Sequence, residues 1–183
     1  MNETQLRTEI QHLVDSLGFW HFHPPDTGPT ESARPDIFCL NPRGVTVVIE
    51  VKRIEPKAKI EPWFDPANIS DGQRQWLDNW YFKMGMGFLG IGTIEAPRRL
   101  WIIPWQSWVE METRLCEKDL NFRINLSDLS PEFELARITG GWQLPNFHPL
   151  LPLALEATCP PRSTKEWNEK KLSYRFAKKK EEV

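Results

Sequence analysis

Between residues 2 and 18 the apolar side chains Leu6, Ile10, Leu13, Val14 and Leu17 recur at three- and four-residue intervals, which predicts an amphipathic helix. Asn2 followed three residues later by Gln5 resembles a capping box, and Gly18 supplies the stop. Glu9 falls on the flank of the apolar stripe. After FWHFH (residues 19–23) the stretch PPDTGPTESARP reads as a loop. The pattern then changes period. DIFCL (36–40) and VTVVIEVK (45–52) are β-branched and apolar, and NPRG between them has turn chemistry, which predicts a β-hairpin. On its second strand Val47, Ile49 and Val51 share one face, while Val48, Glu50 and Lys52 share the other. A second helix begins at Ser70, with Trp76, Leu77, Trp80, Tyr81 and Met84 on its apolar side and Gly85 at its end. MGFLGIGTI (86–94), the turn EAPRR and LWIIP (100–104) give a second strand pair, and WQSWVEMETRL (105–115) is helical. The order α, β, β, α, β, β, α predicts a mixed sheet with helices packed on it.

Beyond residue 117 the pattern weakens. FRINL (122–126) and FELARI (133–138) read as short strands, and GGWQLPNFHPLLPL (140–153) as an irregular, proline-rich wrap. Residues 160–183 carry eight basic side chains against four acidic ones, a basic tail. This divides the chain into a core, 1–116, and a C-terminal extension, 117–183, as part of the same domain or an appendage to it.

A length of 183 residues suits one compact domain, and 40% hydrophobic with 26% charged residues is ordinary globular usage. The net charge of −2 means that any polyanionic partner is met by a local patch. Cys39, Cys116 and Cys159 are odd in number, far apart and without a CxxC pair, which speaks against a disulfide framework and a structural zinc site. A polar N-terminus and the lack of any apolar run near about 18 residues lead to the expectation of a cytoplasmic protein with no membrane partner.

The two charged strand ends are the candidate chemistry. If Leu40 pairs with Val45, Asp36 faces Ile49; a bulge or a slightly longer turn puts Asp36 opposite Glu50. In either register Asp36, Glu50 and Lys52 converge at one end of the hairpin. Two neighbouring carboxylates repel unless a cation sits between them, and hard oxygen donors suit Mg²⁺ or Mn²⁺. An adjacent lysine can orient a water and offset charge developing on a phosphate. An ordinary surface ion pair, with Asp36 as a turn residue, is the plain alternative.

Pro35-Asp36, thirteen intervening residues and Glu50-Val51-Lys52 resemble the PD-(D/E)xK nuclease motif. A leading helix with Glu9 nine residues before Gly18, the motif on a hairpin, and a helix bearing Gln73 resemble the layout of Holliday-junction-resolvase-like and VRR-NUC-type nucleases. GFLGIGTI followed by LWIIPWQSW is similar to the phage and bacterial resolvase pattern. The segment 57–68 is longer than in the simplest members. The resemblance covers about residues 3 to 112 and implies a restriction-endonuclease-like α/β/α fold with a central mixed sheet. It further implies a Mg²⁺- or Mn²⁺-dependent endodeoxyribonuclease of DNA recombination or repair, acting on branched or duplex DNA as a homodimer. Asp36 and Glu50 would ligate the metal with the Val51 carbonyl, Lys52 would position the water, Glu9 would be an outer or second-metal ligand, and Gln73 would orient groups near the scissile phosphate. Hydrolysis would proceed by in-line attack of an activated water and leave a 5′-phosphate. A catalytically silent DNA-binding or assembly module is the alternative.

Nucleic-acid contacts are expected from Ser32 and Arg34 before the motif, from His23, and from Arg53 beside Lys52. His21, His23 and Asp26 form a second conceivable metal site. Gln73 lies three residues after Ser70 and also suits a capping box. Of the nine tryptophans most belong in a core, whereas Trp63 and Phe64, near Lys57 and Lys59, are candidates for stacking on unpaired bases.

Overall fold

A computed structural model describes residues 3–22, 34–41, 44–54, 62–83, 86–93, 97–116 and 123–155. Helix α1 (Glu3–Ser16) is followed by strands β1 (Trp20–Phe22), β2 (Ile37–Leu40), β3 (Thr46–Ile54) and the short β4 (Trp63–Phe64). Next come helix α2 (Asp71–Lys83), strands β5 (Met86–Thr93) and β6 (Leu100–Pro104), and helix α3 (Trp105–Cys116). The chain continues through β7 (Ile124–Asn125), β8 (Ala136–Ile138), β9 (Gly141–Gln143) and helix α4 (Leu150–Leu155). Asn2, Gly85 and the basic tail lie outside the described residues.

Five strands form one sheet in the order β1-β2-β3-β5-β6, with β3 and β5 parallel and the other neighbours antiparallel. The parallel pair needs a crossover, and α2 lies on it. Two further antiparallel pairs, β4 with β7 and β8 with β9, stand outside this sheet. The fold class expected from the sequence, a central mixed sheet flanked by helices, is the one observed.

Strand alternation sorts the core into two layers. On one side Leu6, Ile10 and Val14 of α1 pack against Val47, Ile49 and Val51, closed by Trp142, Leu144 and Leu150. On the other, Val48, Leu89 and Ile91 meet Leu77 of α2 and Trp105 and Trp108 of α3. Residues 140–153, read from sequence as an irregular wrap, thus contribute a strand and a helix to the α1 layer. His148 explains the tight turn there. Its Nε2 donates to the Ile102 carbonyl at 2.8 Å, and its Nδ1 accepts from the Leu150 amide at 3.0 Å at the start of α4. Burial lowers its pKa from the ordinary histidine value. β1 and the two-residue β4 are also absent from the sequence reading, because two or three residues are too few to show a period.

Helix α1 lies close on β5 because that strand turns glycines toward it. A Cβ on Gly92 would stand 2.5 Å from Leu6 Cδ1, and one on Gly90 2.9 Å from Ile10 Cδ1. Gly92→Val is therefore expected to lower stability by about 1–3 kcal/mol through overpacking. Added to Leu6→Ala it should cost less than the two single changes combined, since the smaller side chain vacates the space. Urea unfolding of the four proteins measures this, and strict additivity would show that α1 is not held by that contact. Among the described residues no helix is long and apolar enough to cross a membrane.

Candidate functional site

The hairpin turn sets the geometry. Strands β2 and β3 pair Leu40 with Thr46 and Ile37 with Ile49, one step beyond the four-residue-turn register. Asn41 explains the difference. Its backbone amide donates at 3.0 Å to the Val45 carbonyl, while its side-chain oxygen accepts the Val45 amide at 2.8 Å, so Asn41 and Val45 close a longer turn. Continued by one residue, this register sets Asp36 across from Glu50. Asp36 Oδ2 accepts the Val51 amide at 2.9 Å, which fixes the carboxylate at the strand end.

Glu50 is buried on the α2 side of the sheet, with Leu89 beside it on β5. Lys52 Nζ stands 2.9 Å from Glu50 Oε1 and 3.0 Å from Gln73 Oε1. The Gln73 oxygen also receives the Ser70 amide at 3.0 Å, and Ser70 Oγ accepts the Gln73 amide at 3.3 Å. With that oxygen taking donors, the Gln73 Nε2 group donates to Glu50. The capping box that starts α2 and the contact to the strand carboxylate are thus one arrangement, and it joins helix to strand.

Burial, first, and the neighbouring Asp36 carboxylate, second, push the Glu50 carboxyl up to about 7, against the pull of Lys52. Glu3 adds a smaller push in the same direction. Glu3 was missed by sequence reasoning, and so was Arg7. Arg7 Nη2 donates to Asp36 Oδ1 and lies 3.9 Å from Glu3, one helical turn away. Arg7 Nε is buried without a hydrogen-bond partner. The spacing of Glu3 and Arg7 along one helix flank was the available signal.

Of the residues expected at the site, Asp36, Glu50, Val51, Lys52 and Gln73 are brought together. Glu9 engages another region: its oxygens accept from Arg98 Nη1 at 2.9 Å and Trp142 Nε1 at 2.7 Å, tying α1 to β9. Arg34 and Arg53 are exposed. Ser32, His23, Asp26, Lys57 and Lys59 lie outside the described residues, and His21 contacts Asp15 at 2.6 Å. Phe64 is corrected from a stacking candidate to a core residue, packed edge-on to Trp108 at 5.4 Å, because β4 turns alternate side chains in and out and leaves only Trp63 exposed. Cys39 is a buried free thiol, its pKa pushed to about 12 chiefly by burial.

Among the described residues no group of three or more His, Cys, Asp or Glu side chains gathers as a metal cluster. Two carboxylates and a backbone carbonyl are nonetheless an adequate set for Mg²⁺, which commonly takes one or two carboxylates and fills its octahedron with water and phosphate oxygens. No family model and no curated protein matches this chain. Among solved structures, it is similar to a Holliday junction resolvase of Archaeoglobus fulgidus, an archaeal hyperthermophile. The TM-score is 0.42 and the identity 19%, over 68% of this chain and 88% of that one.

Proposed function

We propose that this chain is a divalent-metal-dependent nuclease of the PD-(D/E)xK type that hydrolyses DNA phosphodiester bonds endonucleolytically, with branched DNA as its preferred substrate and a homodimer as its working form. One observation carries the reading: Asp36, Glu50, Lys52 and Gln73 converge at one end of the sheet, linked through hydrogen bonds on Glu50 and Gln73 and by Asp36 on the Val51 amide. A structural ion pair on a surface needs no second carboxylate and no buried glutamate.

The residues present fit a Mg²⁺ or Mn²⁺ ion. Burial beside Asp36 leaves Glu50 reluctant to ionise; Asp36, Glu50 and the Val51 carbonyl would hold the cation, and its charge would relieve that reluctance. When bound, the ion supplies Lewis acidity toward the scissile phosphate and makes water a better nucleophile. The chain's own part is positioning and charge. Lys52 keeps an ammonium beside Glu50 and offsets negative charge that develops on the phosphate. Gln73 holds both Glu50 and Lys52 in place from the cap of α2. Glu3 takes the outer acidic position, while Glu9 holds α1 to the β9 region.

The contact of Arg7 with Asp36 favours a second reading, a binding module in which a guanidinium takes the cation's place. A panel of four-way junctions, flaps, plain duplex and single strands, assayed with Mn²⁺, Mg²⁺ or EDTA, separates the two. The nuclease reading expects metal-dependent cleavage that disappears in Glu50→Gln, weakens in Glu3→Gln and persists in Glu9→Gln, whose cost is in stability instead. Binding without cleavage by the wild type in either metal favours the module.

A further inference from the structure

The sheet face that carries Glu50 and Lys52 continues away from them as an aromatic shelf. Phe38 lies opposite Val48 in the β2–β3 register, and Glu50 is two residues further along β3, roughly 7 Å on. Phe22 of β1 pairs with Phe38 and stacks on it, ring centroids 5.4 Å apart at 28°. On the helix side, Trp76 and Trp80 follow Gln73 at one and two turns, about 5 and 10 Å along α2. Both meet Phe38 edge-on, at 5.5 and 5.6 Å, and stack on each other at 5.2 Å.

The outer end of this shelf is open. β1 is the edge strand of the sheet, and its two same-face side chains, Trp20 and Phe22, are 61% and 51% exposed. Burying a flat ring on a fixed ring floor is what an unpaired base does on an aromatic platform, and every base offers the face for it. The placement suits that occupant. The helix stripe that holds Gln73 against Glu50 is the same stripe that lays Trp76 and Trp80 under Phe38, so shelf and carboxylates are continuous. Arg34, two residues before Asp36, is exposed and suits a phosphate of the same strand, whereas Arg53, next to Lys52, projects from the opposite face of β3. At about 3.4 Å per stacked nucleotide, a strand whose phosphate sits at Asp36 and Glu50 reaches the shelf within about three nucleotides.

We infer that Trp20 and Phe22, the latter stacked on a Phe38 that Trp76 and Trp80 brace edge-on, form a subsite that stacks on an unpaired base a few nucleotides from the scissile bond. The inference rests on the nuclease reading and narrows its substrates to DNA with unpaired nucleotides beside the cut, such as overhangs, flaps and opened junctions.

The test uses full-length protein in Ca²⁺ with oligonucleotides carrying 2-aminopurine at successive unpaired positions of an overhang, and a blunt duplex as control. The wild type is expected to quench the probe at one or two positions. The double variant Trp20→Leu/Phe22→Leu, apolar still and exposed in both places, should lose the quench and bind the overhang roughly tenfold more weakly with blunt-duplex affinity unchanged. Phe22→Tyr should retain both. Equal loss on the two substrates, or absence of quenching, overturns the inference. So does conversion of a dimer to monomer by the Leu variants in sedimentation with substrate preference intact, since the patch would then join copies of the chain. Cleavage of the same oligonucleotides in Mn²⁺ is read separately. Cutting without discrimination by the shelf leaves the nuclease reading standing and removes the subsite; discrimination without cutting does the reverse.

Discussion

Lys52→Ala is expected to lower Mn²⁺-dependent DNA cleavage by at least ~100-fold, the scale seen when one preorganised charge-stabilising donor is removed from a site, while oligonucleotide binding persists. The reason is twofold. The ammonium stands 2.9 Å from Glu50 and 3.0 Å from Gln73, at the carboxylate that the nuclease reading sets beside the scissile phosphate. Lys52 also draws the Glu50 pKa downward, both as a neighbouring charge and as a hydrogen-bond donor, against burial and Asp36. Without it Glu50 holds its proton to a pH above about 7, so the residual activity should move to more alkaline pH than that of the wild type. A pH–rate profile of the two proteins measures both effects. A purely structural lysine would lower stability and leave the position of the profile unchanged, and that result would remove Lys52 from the chemistry.

In metal-free protein the stability difference between wild type and Glu50→Gln should change with pH by roughly 3 kcal/mol. The folded-state pKa of Glu50 is raised from 4.5 to about 7. A raised carboxyl favours the folded state while it stays protonated, so its contribution is complete below pH 4.5 and is lost as pH rises through about 7. Glutamine does not titrate. The variant should therefore gain on the wild type across that window and hold its gain above it. Urea unfolding in EDTA at several pH values gives the difference directly, with other titrating groups cancelling between the proteins. Adding Mn²⁺ at the upper end of the window should restore the wild type far more than the variant, because an ion that binds only the folded state stabilises it by mass action. A difference flat in pH would mean that Glu50 ionises freely and is not buried against Asp36.

Much of the core layout was legible because it is local. The periods of residues 2–18 and 70–84 and the two β-branched runs each carry their own signal and became the helices and hairpin expected, with the strands joined one step beyond the four-residue-turn register. The cap that Gln73 makes with Ser70 and its place beside Glu50 were both legible, since the Ser70 spacing and the position after the motif are properties of the chain. Of the short pieces, β7 and β8 fall in the expected runs 122–126 and 133–138, and others were not legible. A three-residue edge strand such as β1 and the β9 to α4 region have no period of their own and exist because Trp142, Leu144 and Leu150 cover the α1 layer.

By itself the sequence determined which side of each element faces inward, and hence that Asp36, Glu50 and Lys52 meet at one end of a hairpin, because side-chain direction follows from chain periodicity. Only the tertiary structure decided the register of that hairpin, which depends on where the Asn41 side chain bonds, and which turn of α1 reaches the site. Periodicity fixes the rotation of a helix about its axis but not its slide along a sheet. That slide is set by how Leu6 and Ile10 settle over Gly92 and Gly90, and it brings Glu3 and Arg7 toward the carboxylates while Glu9 meets Arg98 and Trp142.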